Sequence, residues 1–129
     1  VVDASVVVAA LTDGGQVGQW AREVLVSDAL IGPHLAKVEA ANILRRAERH
    51  GDLSADAATP SHADLIDLDV ELLPYEPFEP RIWELRPNVT AYDAWYVAIA
   101  EELGAGLATP DRRLAGAPGP TSDFIVPPG

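Results

Sequence analysis

The sequence predicts an α/β domain, a three-layer sandwich in which helices cover both faces of a central parallel sheet. Two observations point there. Short apolar runs of strand length alternate along the chain with helical stretches, which is the order expected of parallel strands. In addition, 129 residues, 48% of them hydrophobic, suit one globular domain over 1–129 with a real core and leave little room for a second.

Taken in order, residues 1–3 read as the end of a strand and 5–11 as a short helix. The turn TDGG leads into a helix over roughly 17–27. ALIGP follows as a short strand ended by Pro33. HLAKVEAANILRRAERHG is the clearest helix, with Ala36, Ala40, Ile43, Leu44 and Ala47 on one face and Gly51 as its stop. GDLSADAATPSHADLIDLD is helical with a break expected near Pro60. VELLPYE reads as a strand and PRIWELR as a short helix. TAYDAWYVAIAEELG is a helix capped by Thr90 and closed by Gly104; its apolar stripe is Tyr92, Tyr96, Ile99 and Leu103. AGLAT is a buried strand and FIV a last one. The tail GAPGPTSDFIVPPG, rich in Pro and Gly, is expected to be loosely held. Repeats and linkers are absent.

With no cysteine, disulfides and cysteine-based zinc sites are excluded, and the composition fits a reducing, cytoplasmic setting. The apolar opening VVDASVVVAAL is too short to span a bilayer, carries Asp3 and lacks a basic leader, so no membrane segment or signal peptide is expected there. A net charge of −11 opposes loose binding to nucleic acid, because the long-range field repels phosphate.

Four acids stand out. Asp3 directly follows the first strand and Asp111 follows AGLAT, so both belong at the carboxyl edge of the sheet, where sites form in such folds. Asp93, in the first turn of its helix, starts from the same edge. Glu39 lies in the second turn of the helix after ALIG, close to that edge. Each has a local explanation. Asp93 completes a capping box with Thr90, and Asp3 and Asp111 can cap the helical segments that follow them. Glu39 resists such an account: its helical neighbours are Leu35, Ala36, Asn42 and Ile43, so it lacks the ion-pair partner that Glu48 finds in Arg45. Two carboxylates about 5 Å apart repel by roughly 3 kcal/mol at an effective dielectric near 20, whereas a cap is worth about 1 kcal/mol. A divalent cation can hold such a cluster, and an all-oxygen set without His or Cys suits Mg²⁺ or Mn²⁺ better than Zn²⁺. His34, His50 and His62 are scattered.

VVDAS, HLAKVEAANILRR and TAYDAWYVAIAEELGAGLATPDRRL together resemble the PIN-domain ribonucleases, most closely the VapC-type toxins of bacterial toxin/antitoxin modules. The resemblance covers nearly the whole chain. It implies a three-layer α/β fold with an acidic pocket for Mg²⁺ or Mn²⁺, with Asp3, Glu39, Asp93 and Asp111 as the metal-binding catalytic acids. Ser5 and Thr109 match the small hydroxyl residues that accompany the first and last acid, and Asn42 matches a polar residue on the Glu39 helix. The implied chemistry is metal-assisted hydrolysis of RNA phosphodiesters by water, leaving 5′-phosphate and 3′-hydroxyl ends. The implied partners are an RNA substrate, a cognate antitoxin and a second copy in a homodimer.

The resemblance also bears on the charge objection. Bound cations offset part of the acid cluster, and Arg residues gather at 45, 46 and 49 and again at 112 and 113. Arg46 shares a helix stripe with Asn42, and with Arg112 and Arg113 it is a candidate for contacting phosphate. An acidic body also suits a basic protein partner. A receiver domain would need an acidic pair after the first strand and a late Lys, and a haloacid-dehalogenase-type phosphatase would need an acid at position 5; the chain offers Asp3 alone, Lys37 and Ser5. The alternative of a different class is a non-catalytic PIN-like scaffold that binds RNA or protein without cutting.

Overall fold

The computed structural model describes residues 1–129. Strands β1 (Leu30–Pro33) and β2 (Val70–Leu73) pair in parallel, with Leu30 opposite Val70 and Pro33 opposite Leu73. Strands β3 (Leu107–Ala108) and β4 (Phe124–Ile125) form a second parallel pair. The first residues of the chain join the two. Val2 N donates to Ile31 O at 3.3 Å, Ala108 N to Val1 O at 2.9 Å and Asp3 N to Ala108 O at 3.0 Å. Reading across the sheet gives β2, β1, the segment 1–3, β3 and β4. The first segment contributes only one bridged residue, Val2, because the chain turns at once into a helix.

Helices α1 (Ala4–Thr12), α2 (Gln16–Ser27), α3 (Ala36–Arg49), α4 (Ala55–Asp67), α5 (Glu79–Glu84), α6 (Ala91–Leu103) and the short α7 (Arg112–Ala115) cover this sheet, with a 3-10 turn over Glu76–Phe78 ahead of α5. The turn between α1 and α2 depends on Gly18, where a Cβ would collide with the Asp13 carbonyl. At the end of α6, Gly104 adopts φ 60°, the left-handed cap that glycine accepts without steric cost.

Helix α4 corrects the expected break at Pro60: it runs without interruption from Ala55 to Asp67. Proline removes one hydrogen bond, the one to the carbonyl of Asp56. Asp56 and Pro60 are both exposed, which leaves that carbonyl on the solvent side, while Ala58, Ser61 and Leu65 hold the opposite face against the core.

Two clusters of buried side chains make up the core. One gathers Val6, Val7 and Val8 of α1 with Trp20, Ala21, Ala40, Leu44 and Leu65. The other surrounds α6 with Ile82, Leu85, Val89, Leu107 and Leu114. Helix α6 differs from the stripe expected of it. Every residue from Ala94 to Ala100 is buried, while Tyr92 and Leu103 at the ends are 62% and 48% exposed. It is a central helix, enclosed on all sides across its middle two turns. Fully burying a side chain such as Ile99 or Val97 contributes about 1.5–3 kcal/mol.

The Pro- and Gly-rich tail is tied down rather than loose. Glu101 Oε2 accepts from Thr121 N at 2.7 Å and Thr121 Oγ1 at 3.0 Å. Arg81 Nη2 donates to Gly119 O at 2.9 Å, and β4 completes the sheet edge. No helix is long and apolar enough to cross a membrane.

Candidate active site

The parallel strands deliver their carboxyl ends to one edge, and the segments that leave that edge carry all four candidate acids. Asp3 caps α1, its Oδ1 accepting from Ser5 N at 3.1 Å. Its other oxygen, Oδ2, accepts from Thr109 Oγ1 at 2.8 Å. Thr109, just past β3, is fully buried, and the same hydroxyl accepts from Asp111 N at 3.1 Å. One threonine, 106 positions from Asp3, therefore fixes the first and last acids relative to each other. Asp111 in turn caps α7 through Arg113 N and Leu114 N.

Glu39 sits in the first turn of α3, one turn earlier than the sequence suggested, because His34 and Leu35 lie outside the helix. Its Oε1 accepts from the hydroxyl of Tyr96 at 2.8 Å. Burial pushes the Glu39 carboxyl above its ordinary range; the Tyr96 hydrogen bond pulls it partly back, and the charges of Asp3 and Asp93 raise it again. Thr90 caps α6, its Oγ1 accepting from Asp93 N at 3.2 Å, while the return bond of a capping box, from Thr90 N to the Asp93 carboxylate, is not formed. Burial likewise raises the Asp93 carboxyl, followed by the charges of Asp3 and Asp111, with Thr90 opposing. Glu39 thus senses Asp3 and Asp93, and Asp93 senses Asp3 and Asp111. The four acids share one field.

They do not form a ready coordination sphere. As the side chains stand, no three His, Asp or Glu residues converge closely enough to hold an ion. Tyr96 and Thr109 direct Glu39 and Asp3, and like charges favour separation.

A cleft of about 340 Å³ opens beside the acids, lined by Asn88, Thr90, Asp93, Asp111 and Arg113 among others. Arg113 reaches it with a guanidinium almost wholly in solvent, 3.9 Å from Asp111. Arg112 does not line this cleft; its Nη2 donates to Pro127 O in the tail. Asn42 and Arg46 are exposed on α3, and Ser5 is half-buried on α1. The expected ion pair between Arg45 and Glu48 is not formed, and both side chains instead border a separate groove between α3 and α4.

Tyr96 is the residue that sequence reasoning assigned only to the apolar stripe. It is buried, and its phenol is raised far above its ordinary pKa by burial and by Glu39. A signal did exist: Tyr96 lies three residues after Asp93, on the same side of one helix.

The profile of the PIN domain family matches residues 1–120. The chain belongs to the PIN-domain family. Its curated relatives include a VapC ribonuclease of Mycobacterium bovis, Mb0985, 41% identical over 115 residues, covering 89% of this chain and 87% of the relative. Ribonuclease VapC1 of Mycobacterium tuberculosis is 39% identical over 128 residues, covering 92% and 90%. Among solved structures, PAE2754 from Pyrobaculum aerophilum superposes with a TM-score of 0.62 at 28% identity, covering 88% of this chain and 80% of that one. This PIN-domain chain therefore has VapC ribonucleases as relatives over most of its length and of theirs.

Proposed function

We propose that this PIN-domain chain is a cytoplasmic, divalent-metal-dependent ribonuclease acting as the toxin of a toxin/antitoxin pair, with Asp3, Glu39, Asp93 and Asp111 as its metal-binding acids. The observation that carries the site is the shared field of four carboxylates at one sheet edge. Glu39 and Asp93 are both biased toward holding protons, first by burial and then by the charges of neighbouring acids, with Asp3 acting on both. The donors are oxygen alone, as Mg²⁺ and Mn²⁺ prefer. In donor chemistry the residues suit such an ion, which would have to draw the side chains together.

Bound there, a divalent cation would lower the pKa of a water and offset charge on a scissile phosphate. The chain's own residues set the stage. Thr109 orients Asp3 and the Asp111 backbone together, Tyr96 aims Glu39, and the helix start at Thr90 carries Asp93 into the cleft. Arg113 supplies a forked donor for a phosphate at the rim. The cognate antitoxin and a second copy of the chain are the partners this reading implies. The acidic surface suits a basic antitoxin.

The test is cleavage of RNA by purified protein with Mg²⁺ or Mn²⁺, in excess EDTA, and by Asp93→Asn. Activity that needs the cation and is lost in the variant is expected. Asp93→Asn should also melt no lower than the parent without metal, since a repulsive charge is gone, and gain little from added cation. Lower metal-free stability with intact cleavage would make Asp93 a helix cap only. Binding of RNA without any cleavage in either metal would favour the scaffold reading.

A further inference from the structure

The first turn of α6 separates two clefts. Thr90 and Asp93 face the acidic one, while Ala91, Tyr92 and Trp95 border a second, of about 450 Å³, completed by His34, Leu35 and Tyr75. This second cleft is strongly apolar, and its walls are aromatic. Tyr75 and Trp95 meet edge to face with ring centroids 5.4 Å apart at 83°. Tyr92 is 62% exposed, whereas Trp95 and Tyr96, one turn further along α6, are buried. Its place in the fold ties the cleft to the acids: Tyr92 immediately precedes Asp93, and Leu35 lies one helical turn before Glu39.

The charge of the chain decides what belongs there. At −11, the molecule gains little from phosphate contacts, and in the acidic cleft Arg113 is the one cationic side chain. A polyanion held by such a protein must draw on contacts that carry no charge. Stacking of unpaired bases on aromatic side chains supplies that term, tolerates any base and suits single-stranded RNA. A concave site of this volume accepts one base, whereas a helix of a protein partner would need a long groove.

We propose that the Tyr75–Tyr92–Trp95 cleft is a stacking subsite for one unpaired nucleobase of RNA, that of the nucleotide flanking the phosphate held at the acids. This rests on the ribonuclease reading above, and it makes Tyr92 the accessible stacking face.

The experiment compares the parent chain with Tyr92→Ala, Tyr92→Leu and Tyr92→Phe, with binding followed in EDTA, where the ribonuclease reading allows no cleavage, and cleavage followed in Mg²⁺. Fluorescence anisotropy follows binding of a short labelled oligouridylate and of an abasic chain of equal length. Because Tyr92 is exposed, these changes leave the core intact. Stacking predicts about tenfold weaker oligouridylate binding for Tyr92→Ala, a similar loss for Tyr92→Leu, and near-parent binding for Tyr92→Phe. The abasic chain should bind weakly and equally to all four. In cleavage assays Tyr92→Ala should raise KM with little change in kcat, the mark of lost uniform binding.

Unchanged oligouridylate affinity in Tyr92→Ala overturns the subsite, as does retained affinity in Tyr92→Leu, which would mean generic apolar contact. A change of mass in sedimentation caused by Tyr92→Ala overturns it as well, since the cleft would then face a second copy. The two readings fail separately. A parent that binds through Tyr92 but never cleaves loses the nuclease assignment and keeps the subsite; one that cleaves with a KM indifferent to Tyr92 does the reverse.

Discussion

Replacing Thr109 by Val removes one hydroxyl from a fully buried side chain and nearly keeps its shape. Two hydrogen bonds disappear: the one given to Asp3 Oδ2 at 2.8 Å and the one taken from Asp111 N at 3.1 Å. A bond to a charged carboxylate contributes about 1.5–3 kcal/mol and an ordinary one about 1. Asp3 is only half-buried, so water recovers part of the first term. A net loss of about 2 kcal/mol is expected, or roughly 6–10 °C in Tm for a domain of this length. Thr109→Ser keeps both bonds and loses only a methyl, so it should fall by about 1 kcal/mol or less. The second readout is positional. Without the hydroxyl, Asp3 and Asp111 are no longer held relative to each other, and the rise in Tm produced by Mg²⁺ or Mn²⁺ should shrink in Thr109→Val and persist in Thr109→Ser. Urea and thermal denaturation with and without cation measure both. A Val variant as stable as the parent, with an undiminished cation response, would falsify the coupling of the first and last acids through Thr109.

Tyr96→Phe deletes the donor to Glu39 and should cost about 1–2 kcal/mol; a carboxyl titration by NMR should place Glu39 higher than in the parent, and an unmoved Glu39 refutes the contact. The metal-free protein should show two opposed pH effects. Glu39 and Asp93 have raised folded pKa values, so their contribution is present at low pH and lost as pH rises through those values, above the ordinary carboxylate range. For Glu101, burial raises the pKa but Arg81 and Thr121 outweigh it, so its contribution is present above the ordinary range and lost as pH falls through the lowered value. Added Mg²⁺ should abolish the first effect only, and melts across pH with and without cation test this. Glu101→Gln breaks the paired contact with Arg81 Nε and Nη2, at 2.7 and 3.1 Å, and should lose about 2 kcal/mol; proteolysis should then rise near residues 119–121, and an unchanged cleavage pattern would show that the tail is held by β4 alone.

Local rules in the sequence located most of the frame. Thr90 as N-cap, Gly104 as C-cap and the alternation of strand and helix follow from neighbours a few residues apart, and the structure keeps all of them. The edge placement of the acids follows from topology once the strands are parallel. What escaped depends on distant partners. Tyr96 meets Glu39 across 57 residues, and the burial of α6 on all sides reflects what packs around it, which one helix's periodicity does not encode. Pro60 misled because the carbonyl it frees lies on the exposed face of α4, where the helix tolerates the lost bond. Arg45 and Glu48 had the spacing for an ion pair, yet exposed pairs of that kind gain only a few tenths of a kcal/mol and need not form. The Pro- and Gly-rich tail looked loose by composition because Glu101, its anchor, lies some 20 residues away.

Asp93 shows why a capping account and a catalytic account need not compete. The cap geometry is real: Thr90 Oγ1 accepts from Asp93 N, and a carboxylate at a helix start gains about 0.3–1 kcal/mol from the dipole. Capping nevertheless leaves the sign of the environment unexplained. A side chain that served only as a cap should find its charge favoured, yet burial and the neighbouring Asp3 and Asp111 disfavour the charge despite Thr90. The same helix start therefore fixes the position of a carboxylate and leaves its charge uncompensated. That combination is what a cation site requires of its ligands before the ion arrives: fixed by the fold, and unstable without a counter-charge. Glu39 repeats it on α3, held by Tyr96 while burial, and after it the charges of Asp3 and Asp93, disfavour its anion. Two acids from separate helices with the same conflict, at one edge, make a structural role for either alone an incomplete account.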